Sequence, residues 1–276
     1  MKFRSWVLAT HLFVVTLLLT CTLTAQTTAP TRGAAPGGAG APTTAPARGR
    51  GARGPVAPPS TTQPVLQSAQ RHADFLARAK QGNIDLLFTG DSITDFFYYG
   101  RPGYPQMNGR KVWDANFASL NAADFAVSGA RTQNVIYQFQ NGELEGFKAK
   151  LIVMMIGTNN ISARNTPEDT VAGIKAIIAE IQKHQPDAKL LLLGIFPRGQ
   201  TANDQWRPAI KQVNATISKL DDGKHIFYMD IGDKFLQSDG SISPDVMSDY
   251  LHPTEKGYTI WTDAILPKVK ELLGVK

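Results

Sequence analysis

Ser92, Asp249 and His252 are residue types that can supply a nucleophile, an orienting carboxylate and a general base. A serine hydroxyl is a weak nucleophile near neutral pH, so it needs a base within hydrogen-bond reach. Asp249 lies three residues before His252, and from one turn its carboxylate can accept from Nδ1–H and leave Nε2 free for the serine proton. The pattern predicts a Ser–His–Asp triad, with Asp245 as a reserve carboxylate of less suitable spacing. Taken singly, the serine could merely cap a helix and the histidine could lie in a surface turn.

Hydrogen-bond donors for a developing oxyanion are the second requirement of acyl transfer. The sequence offers three of them, the N–H of Ser92, the N–H of Gly129 and the side-chain amide of Asn159. Glycine at 129 lets the backbone approach a substrate closely. Asn159 follows an apolar run directly, where an amide side chain otherwise only ties down a turn. We predict supporting roles for Asp91 and Asn160, with Asn160 structural.

The elements that must position these residues alternate along the chain. Short apolar runs occupy 84–88, 124–127, 151–156, 190–196 and 226–231. Helical patterns occupy about 65–82, 131–140, 167–184, 205–220 and 254–273. Continuous Ile, Leu and Val content is typical of parallel strands buried on both faces, so the alternation predicts an α/β fold, a three-layer α/β/α sandwich. Ser92, Gly129 and Asn159 each follow a strand, and the carboxyl ends of the strands form the crevice of such a fold.

Four stretches in this order resemble the four blocks of the SGNH (GDSL-type) hydrolases. They are Gly90-Asp91-Ser92-Ile93-Thr94, Gly129 within residues 128–135, Gly157-Thr158-Asn159-Asn160, and Asp249 with His252-Pro253. Residues 141–145 also resemble the branch of the catalytic subunits of platelet-activating-factor acetylhydrolase. The resemblance covers about 70 to 273.

The resemblance implies a flavodoxin-like sandwich with a five-stranded parallel sheet, no metal or other cofactor, and hydrolysis of small esters. It also implies an oxyanion hole made by Ser92, Gly129 and Asn159, with Asp249 and His252 completing the triad. Arg131 departs from the branch pattern, which usually has a second glycine and an acidic residue in this block. The acetylhydrolase substrate is therefore not implied.

Composition excludes several other classes. One cysteine rules out a disulfide framework and a Cys-based zinc site, and the five histidines lack the spacing of a zincin. The formal charge of +6 belongs to the first 62 residues, which contain six basic residues and no acidic one. The remainder is formally neutral, which argues against a nucleic-acid partner.

The N-terminal 62 residues divide into two segments. Residues 1–25 have the layout of a secretory signal peptide, with Lys2 and Arg4 before an apolar run and small residues up to Ala25. An uncleaved anchor and a lipoprotein formed at Cys21 are the alternatives. Residues 26–62 are rich in Pro, Gly, Ala and Thr and predict a disordered linker, followed by a hydrolase domain over 63–276.

These features predict a secreted or periplasmic serine esterase that hydrolyses short-chain, chiefly acetyl, esters through an acyl-enzyme. The expected partner is a small ester or an acetylated carbohydrate, with no stable membrane insertion after cleavage. The alternatives are an acyltransferase, a lysophospholipase or lipase-type acylhydrolase, and a non-catalytic carbohydrate-binding module. The aromatic segment 96–111 predicts either a sugar platform or packing against the sheet edge.

Overall fold

The computed structural model describes residues 57–276, whose five strands form one parallel sheet in the order β2-β1-β3-β4-β5. The strands are β1 (Leu86–Gly90), β2 (Ala122–Asp124), β3 (Leu151–Met155), β4 (Lys189–Leu193) and β5 (Ile226–Met229). Every pairing is parallel. This order is the flavodoxin-like arrangement, so the predicted fold class is confirmed. The order reverses at β1, and a crevice is expected there at the carboxyl edge.

Eight helices cover the two faces of the sheet in the described residues. They are α1 (Ala69–Lys80), α2 (Ser92–Tyr98), α3 (Arg110–Asn116), α4 (Thr132–Gln140), α5 (Thr158–Ser162), α6 (Pro167–His184), α7 (Arg207–Ile217) and α8 (Glu255–Leu273). Helices α1, α4, α6 and α7 contribute to one apolar core, and α2, α3 and α8 contribute to the other. The helices therefore form the two outer layers of a three-layer sandwich.

Strand β3 explains why the apolar runs are continuous. Its residues Ile152 and Met154 belong to one core, whereas Leu151, Val153 and Met155 belong to the other. All five are buried, because helices cover both faces. Alternate side chains of a strand point to opposite faces, so burial on both sides requires every position to be apolar.

The first helix is shorter than its apolar periodicity predicts. Helix α1 begins at Ala69, and Ser68 caps it by accepting from the Arg71 N–H at 3.3 Å. Val65 and Leu66, which the periodicity places in the helix, are 47% and 43% exposed. The Val65 N–H instead donates to the carbonyl of Gln133 at 3.1 Å, so the chain before α1 follows the neighbouring helix.

The packed chain extends upstream of residue 63. Thr61 is buried, and its carbonyl accepts from Thr132 Oγ1 at 2.8 Å. The Pro59 carbonyl accepts from Asn165 Nδ2 at 2.7 Å. These backbone contacts place the last residues of the predicted linker against the domain, because bonding groups there do not require apolar side chains. The signal peptide, Cys21 and the linker up to residue 56 lie outside the described residues.

The aromatic segment 96–111 divides between packing and exposure. Phe97 is buried in α2 and stacks on Tyr258 of α8 with ring centroids 4.5 Å apart. Tyr99 and Tyr104 are 47% and 44% exposed. A further short helix, α3, begins at Arg110, at the end of this segment. None of the helices within 57–276 has the length and apolar character needed to cross a membrane.

Candidate active site

Ser92 lies at the turn from β1 to α2, where the chain leaves the centre of the sheet. Asp91 caps the helix by accepting from the Ile93 N–H at 3.0 Å. Gly90 is required here, because a Cβ would collide with the carbonyl of Met155 on the neighbouring strand. The tight turn thus fixes Ser92 at the carboxyl edge of the sheet. The side chain that caps α2 is that of Asp91, and the Ser92 hydroxyl makes a different contact.

The three residues of the predicted triad form a continuous hydrogen-bonded chain. Ser92 Oγ lies 2.9 Å from His252 Nε2, and His252 Nδ1 lies 2.7 Å from Asp249 Oδ2. These distances are within the range that proton transfer requires. The Phe96 ring lies beside the imidazole, with centroids 5.1 Å apart.

Asp249 is held as a carboxylate by a set of donors. Its Oδ1 accepts from the N–H groups of His252 and Leu251 at 2.8 and 3.1 Å. Burial alone would raise the pKa of Asp249, but the hydrogen bonds from the His252 ring and backbone outweigh it and lower the pKa to about 2. The carboxylate is therefore ionised at any pH near neutrality. Asp245, the reserve candidate, instead lies 4.0 Å from Lys256.

The loop after β2 reaches the nucleophile turn through its backbone. Val127 N–H donates to the Gly90 carbonyl at 3.3 Å, and Ala130 N–H closes a turn on Val127 at 2.9 Å. Gly129 in this turn has a φ of +79°, the left-handed region that favours glycine. Among the described residues, neither its N–H nor that of Ser92 has a hydrogen-bond acceptor.

Asn159 connects the loop after β3 to the loop after β2. Its Nδ2 donates to the Ala130 carbonyl at 3.0 Å, next to Gly129, and the amide has a second hydrogen for another acceptor. Asn160, in contrast, is fully buried, and its Oδ1 accepts from the Thr132 N–H at 3.0 Å. These contacts join Asn160 to the start of α4.

Asp91 is a buried carboxyl group directly before the nucleophile. One of its oxygens caps α2, and the other has no hydrogen-bond partner within the described residues. Burial raises the pKa of Asp91 to about 6, although the Ile93 N–H and the charges of His252 and Arg198 oppose the rise. Arg131 lies at the start of α4, where its N–H donates to Asn134 Oδ1 at 2.9 Å.

Two positioning side chains escaped the sequence analysis. Asp95 Oδ2 accepts from the Ser128 N–H at 3.1 Å, and its Oδ1 forms an ion pair with Arg71 at 2.7 Å. Arg101 Nη1 lies 3.1 Å from Asp249 Oδ2, and its guanidinium lies over the Tyr104 ring at 4.0 Å. The hydrogen-bonded and ion-paired partners are 24 to 148 residues apart in the chain, so no local pattern could have indicated them.

Residues 57–276 contain no cluster of side chains suited to binding a metal ion. No group of three or more His, Cys, Asp or Glu side chains there is placed to hold an ion. A cavity of about 860 Å³ is lined by α7 and by the segments after β4 and β5, and the three triad residues do not line it.

The model of the GDSL-like Lipase/Acylhydrolase family matches residues 88–260, a range that contains the triad residues together with Gly129 and Asn159. The chain belongs to this family. Platelet-activating factor acetylhydrolase IB subunit alpha1 of Rattus norvegicus is 34% identical over 209 residues, covering 74% of this chain and 84% of that protein. Subunit alpha2 of Homo sapiens is 35% identical over 193 residues, covering 68% and 77%. The predicted family and branch are confirmed, and the chain is a carboxylic ester hydrolase of the GDSL type.

Solved structures agree on the fold of this GDSL-type hydrolase. A GDSL-like lipase from Bacteroides thetaiotaomicron superposes with a TM-score of 0.58 at 16% identity, covering 73% of this chain and 97% of that one. A catalytic mutant of an acetylxylan esterase from Geobacillus stearothermophilus gives 0.53 at 17% identity, covering 71% and 96%. At such identities the likeness supports the architecture alone.

Proposed function

We propose that this hydrolase cleaves its ester through an acyl-enzyme on Ser92. His252 Nε2 takes the hydroxyl proton as Ser92 Oγ attacks the ester carbonyl. The tetrahedral oxyanion accepts hydrogen bonds from the N–H groups of Ser92 and Gly129 and from Asn159. His252 then protonates the departing alcohol, and water repeats the sequence to release the acid.

The observation that carries this proposal is the relay of 2.9 and 2.7 Å from Ser92 through His252 to Asp249. The carboxylate fixes the imidazole so that Nδ1 carries a hydrogen and Nε2 accepts one. The two backbone N–H groups without acceptors in the described part of the chain are available to an oxyanion. A complete relay favours an enzyme over a non-catalytic carbohydrate-binding module.

We infer that the acyl group is short, with acetyl the preferred one, and that the alcohol belongs to a carbohydrate. Support comes from the names of the similar proteins, because the acetylxylan esterase and the acetylhydrolase subunits both refer to an acetyl group. The two names differ in the alcohol part of the ester. The first name refers to the polysaccharide xylan, and the second refers to platelet-activating factor, a lipid mediator. The Tyr99 and Tyr104 rings are partly exposed, and because a guanidinium lies over one face of each, the opposite face is the one available to stack on a sugar.

The test replaces Ser92 by Ala and follows the hydrolysis of aryl esters from acetyl to dodecanoyl. We expect kcat to fall by on the order of 10³-fold or more in the variant, because the nucleophile is lost. The wild-type enzyme should prefer acetyl. Full activity in the variant would remove Ser92 from the mechanism, and a long-chain optimum would contradict the short-chain inference.

A lipid ester is the second candidate alcohol, favoured by the 34% identity to the alpha1 subunit. Acetylated xylan and an acetylated ether phospholipid, offered at equal ester concentration, would discriminate between the two. Product analysis with added sugar alcohols would reveal acyl transfer instead of hydrolysis. The carbohydrate proposal requires acetate to be released faster from the acetylated xylan than from the phospholipid.

We further propose that the enzyme acts outside the cytoplasm, exported by residues 1–25. Sequencing the N-terminus of the mature protein recovered from the periplasm or medium tests this. Cleavage after Ala25 is expected, whereas a mature protein that begins at a lipidated Cys21 would make it a lipoprotein. Retention in the cytoplasm would contradict export.

A further inference from the structure

Arg198 follows β4 and connects two parts of the candidate active site. Its Nη1 donates to Ser162 Oγ at 2.6 Å and to Thr158 Oγ1 at 3.2 Å, so it contacts α5, the helix that contains Asn159. The next residue, Gly199, donates its N–H to the Tyr250 carbonyl at 2.9 Å, inside the turn between Asp249 and His252. Arg198 therefore lies between the oxyanion side and the triad side of the site.

The charge of Arg198 lacks the direct carboxylate partner that Arg71 and Arg101 have. Arg71 pairs with Asp95 at 2.7 Å, and Arg101 pairs with Asp249 at 3.1 Å. Within residues 57–276 Arg198 forms no ion pair with a carboxylate, and its Nε and Nη2 donate no hydrogen bond. Three carboxylates, those of Asp204, Asp91 and Asp249, attract it from a distance.

The guanidinium is nevertheless held in place. It lies over the Trp206 ring at 4.9 Å, and the Arg198 carbonyl accepts from Arg207 Nε at 2.6 Å. Half-burial lowers the pKa of Arg198 by desolvation, but an arginine remains charged at any working pH. A partly desolvated, immobilised guanidinium with unused donors is suited to a planar oxyanion such as a carboxylate, or to a phosphate.

We propose that Arg198 forms an anion subsite that binds a carboxylate or phosphate group on the alcohol portion of the ester. The inference rests on the proposed function, because an acetyl group has no charge of its own and the anion must therefore belong to the alcohol. A uronic-acid-containing polysaccharide and a phosphate-bearing alcohol are two sources of this chemistry. The enzyme then prefers anionic acetyl esters to neutral ones of the same shape.

The kinetic test compares 4-acetoxybenzoate with its neutral methyl ester, and 4-acetoxyphenyl phosphate serves as the phosphate probe. The quantity measured is the ratio of kcat/KM for each anionic ester to that for the neutral ester. Arg198→Gln should lower this ratio by about 10-fold or more, since a charged hydrogen bond is lost. Any disturbance of α5 slows both esters and cancels in the ratio. The larger loss, with the carboxylate or with the phosphate, identifies the source.

Two further variants separate charge from geometry. Arg110→Gln removes the same charge from an exposed arginine that pairs with Asp114, and it should leave the ratio at the wild-type value. Arg198→Lys keeps the charge without the planar fork and should retain part of the preference. An equal ratio in wild type and Arg198→Gln overturns the subsite.

A binding measurement keeps this test independent of turnover. Calorimetry with 4-acetoxybenzoate compares Ser92→Ala with the double variant that also contains Arg198→Gln. We expect at least 10-fold weaker binding in the double variant, and equal affinities overturn the subsite. Absence of Ser92-dependent hydrolysis of any ester, together with Arg198-dependent binding, would reject the proposed function and leave the anion site standing.

Discussion

The protein contains two histidine–carboxylate pairs of almost the same length. His252 Nδ1 lies 2.7 Å from Asp249 Oδ2, and His72 Nδ1 lies 2.6 Å from Glu143 Oε1. The first pair is at the carboxyl edge of the sheet and has a serine hydroxyl on the other ring nitrogen. The second joins α1 to the segment after α4, with the His72 ring edge-on to Tyr137.

The surroundings give the two carboxyl groups opposite character. Asp249 is partly exposed and accepts two backbone N–H bonds, and its pKa is lowered to about 2. Glu143 is fully buried, and burial raises its pKa to about 9 although Gln138 and Arg71 oppose the rise. Burial also lowers the pKa of His72. The Asp249 carboxylate is thus ionised and suited to stabilising an imidazolium on His252. In the second pair Glu143 keeps its proton and His72 is uncharged, which suits a structural contact.

The comparison predicts its largest effect at Asp249. Asp249→Asn should lower kcat by on the order of 10³- to 10⁴-fold, because the amide holds the wrong imidazole tautomer and cannot stabilise the imidazolium. Initial rates on an aryl acetate measure it, with Glu143→Gln as the matched control expected to remain within about 3-fold of wild type. Similar losses in both variants would erase the functional distinction between the pairs.

The second-largest effect on activity is expected at Asn159, whose amide is proposed to donate to the oxyanion beside the first pair. Asn159→Ala should lower kcat by roughly 10²- to 10³-fold, because one hydrogen bond to the oxyanion is lost. Saturation kinetics measure it, and denaturant unfolding checks that the lost bond to Ala130 has not unfolded the protein. An unchanged kcat would show that the amide serves only the loop.

Glu143→Gln should change stability with pH rather than activity. The folded state keeps the Glu143 proton up to about pH 9, whereas an unfolded chain loses it near the ordinary glutamate pKa of 4.5. The contribution of Glu143 to stability is therefore full below about pH 4.5 and falls by up to ~1.4 kcal/mol per pH unit as pH rises to about 9. The variant lacks this loss, so its free energy of unfolding should rise relative to wild type between pH 5 and 9. A parallel pH dependence of the two proteins would contradict the neutral pair.

Asp91→Asn should give the smallest change, because Asp91 is intermediate between the two carboxyls. Its folded pKa of about 6 stands above the ordinary aspartate pKa of 3.8, so its contribution to stability falls only between about pH 4 and 6. Asparagine keeps the helix cap, and the variant should gain roughly 2–3 kcal/mol relative to wild type across that window and little beyond it. Urea unfolding at pH 4 and pH 7 measures the difference. A gain that continues above pH 7 would place the ionisation elsewhere.

The central strands could be predicted because the sheet is buried on both faces there, which requires continuous apolar runs such as Leu151–Met155. Strand β2 ends at Asp124, where the predicted run 124–127 begins, because the buried apolar residues that follow it belong to the loop. Helix ends were less certain. The periodicity at Val65 and Leu66 extended α1 by four residues, because exposed apolar side chains in an extended segment look the same in a sequence.

The sequence by itself determined the parallel α/β architecture and the residue types of the relay, because residues at the carboxyl ends of parallel strands must meet at one edge. Only the tertiary structure decided which carboxylate is ionised. Asp249 and Glu143 both lie near a histidine, and the free energy of each charge depends on backbone donors and solvent that the chain supplies from elsewhere. The unpaired charge of Arg198 was decided in the same way, because its contacts with Ser162 and Trp206 exist only after folding.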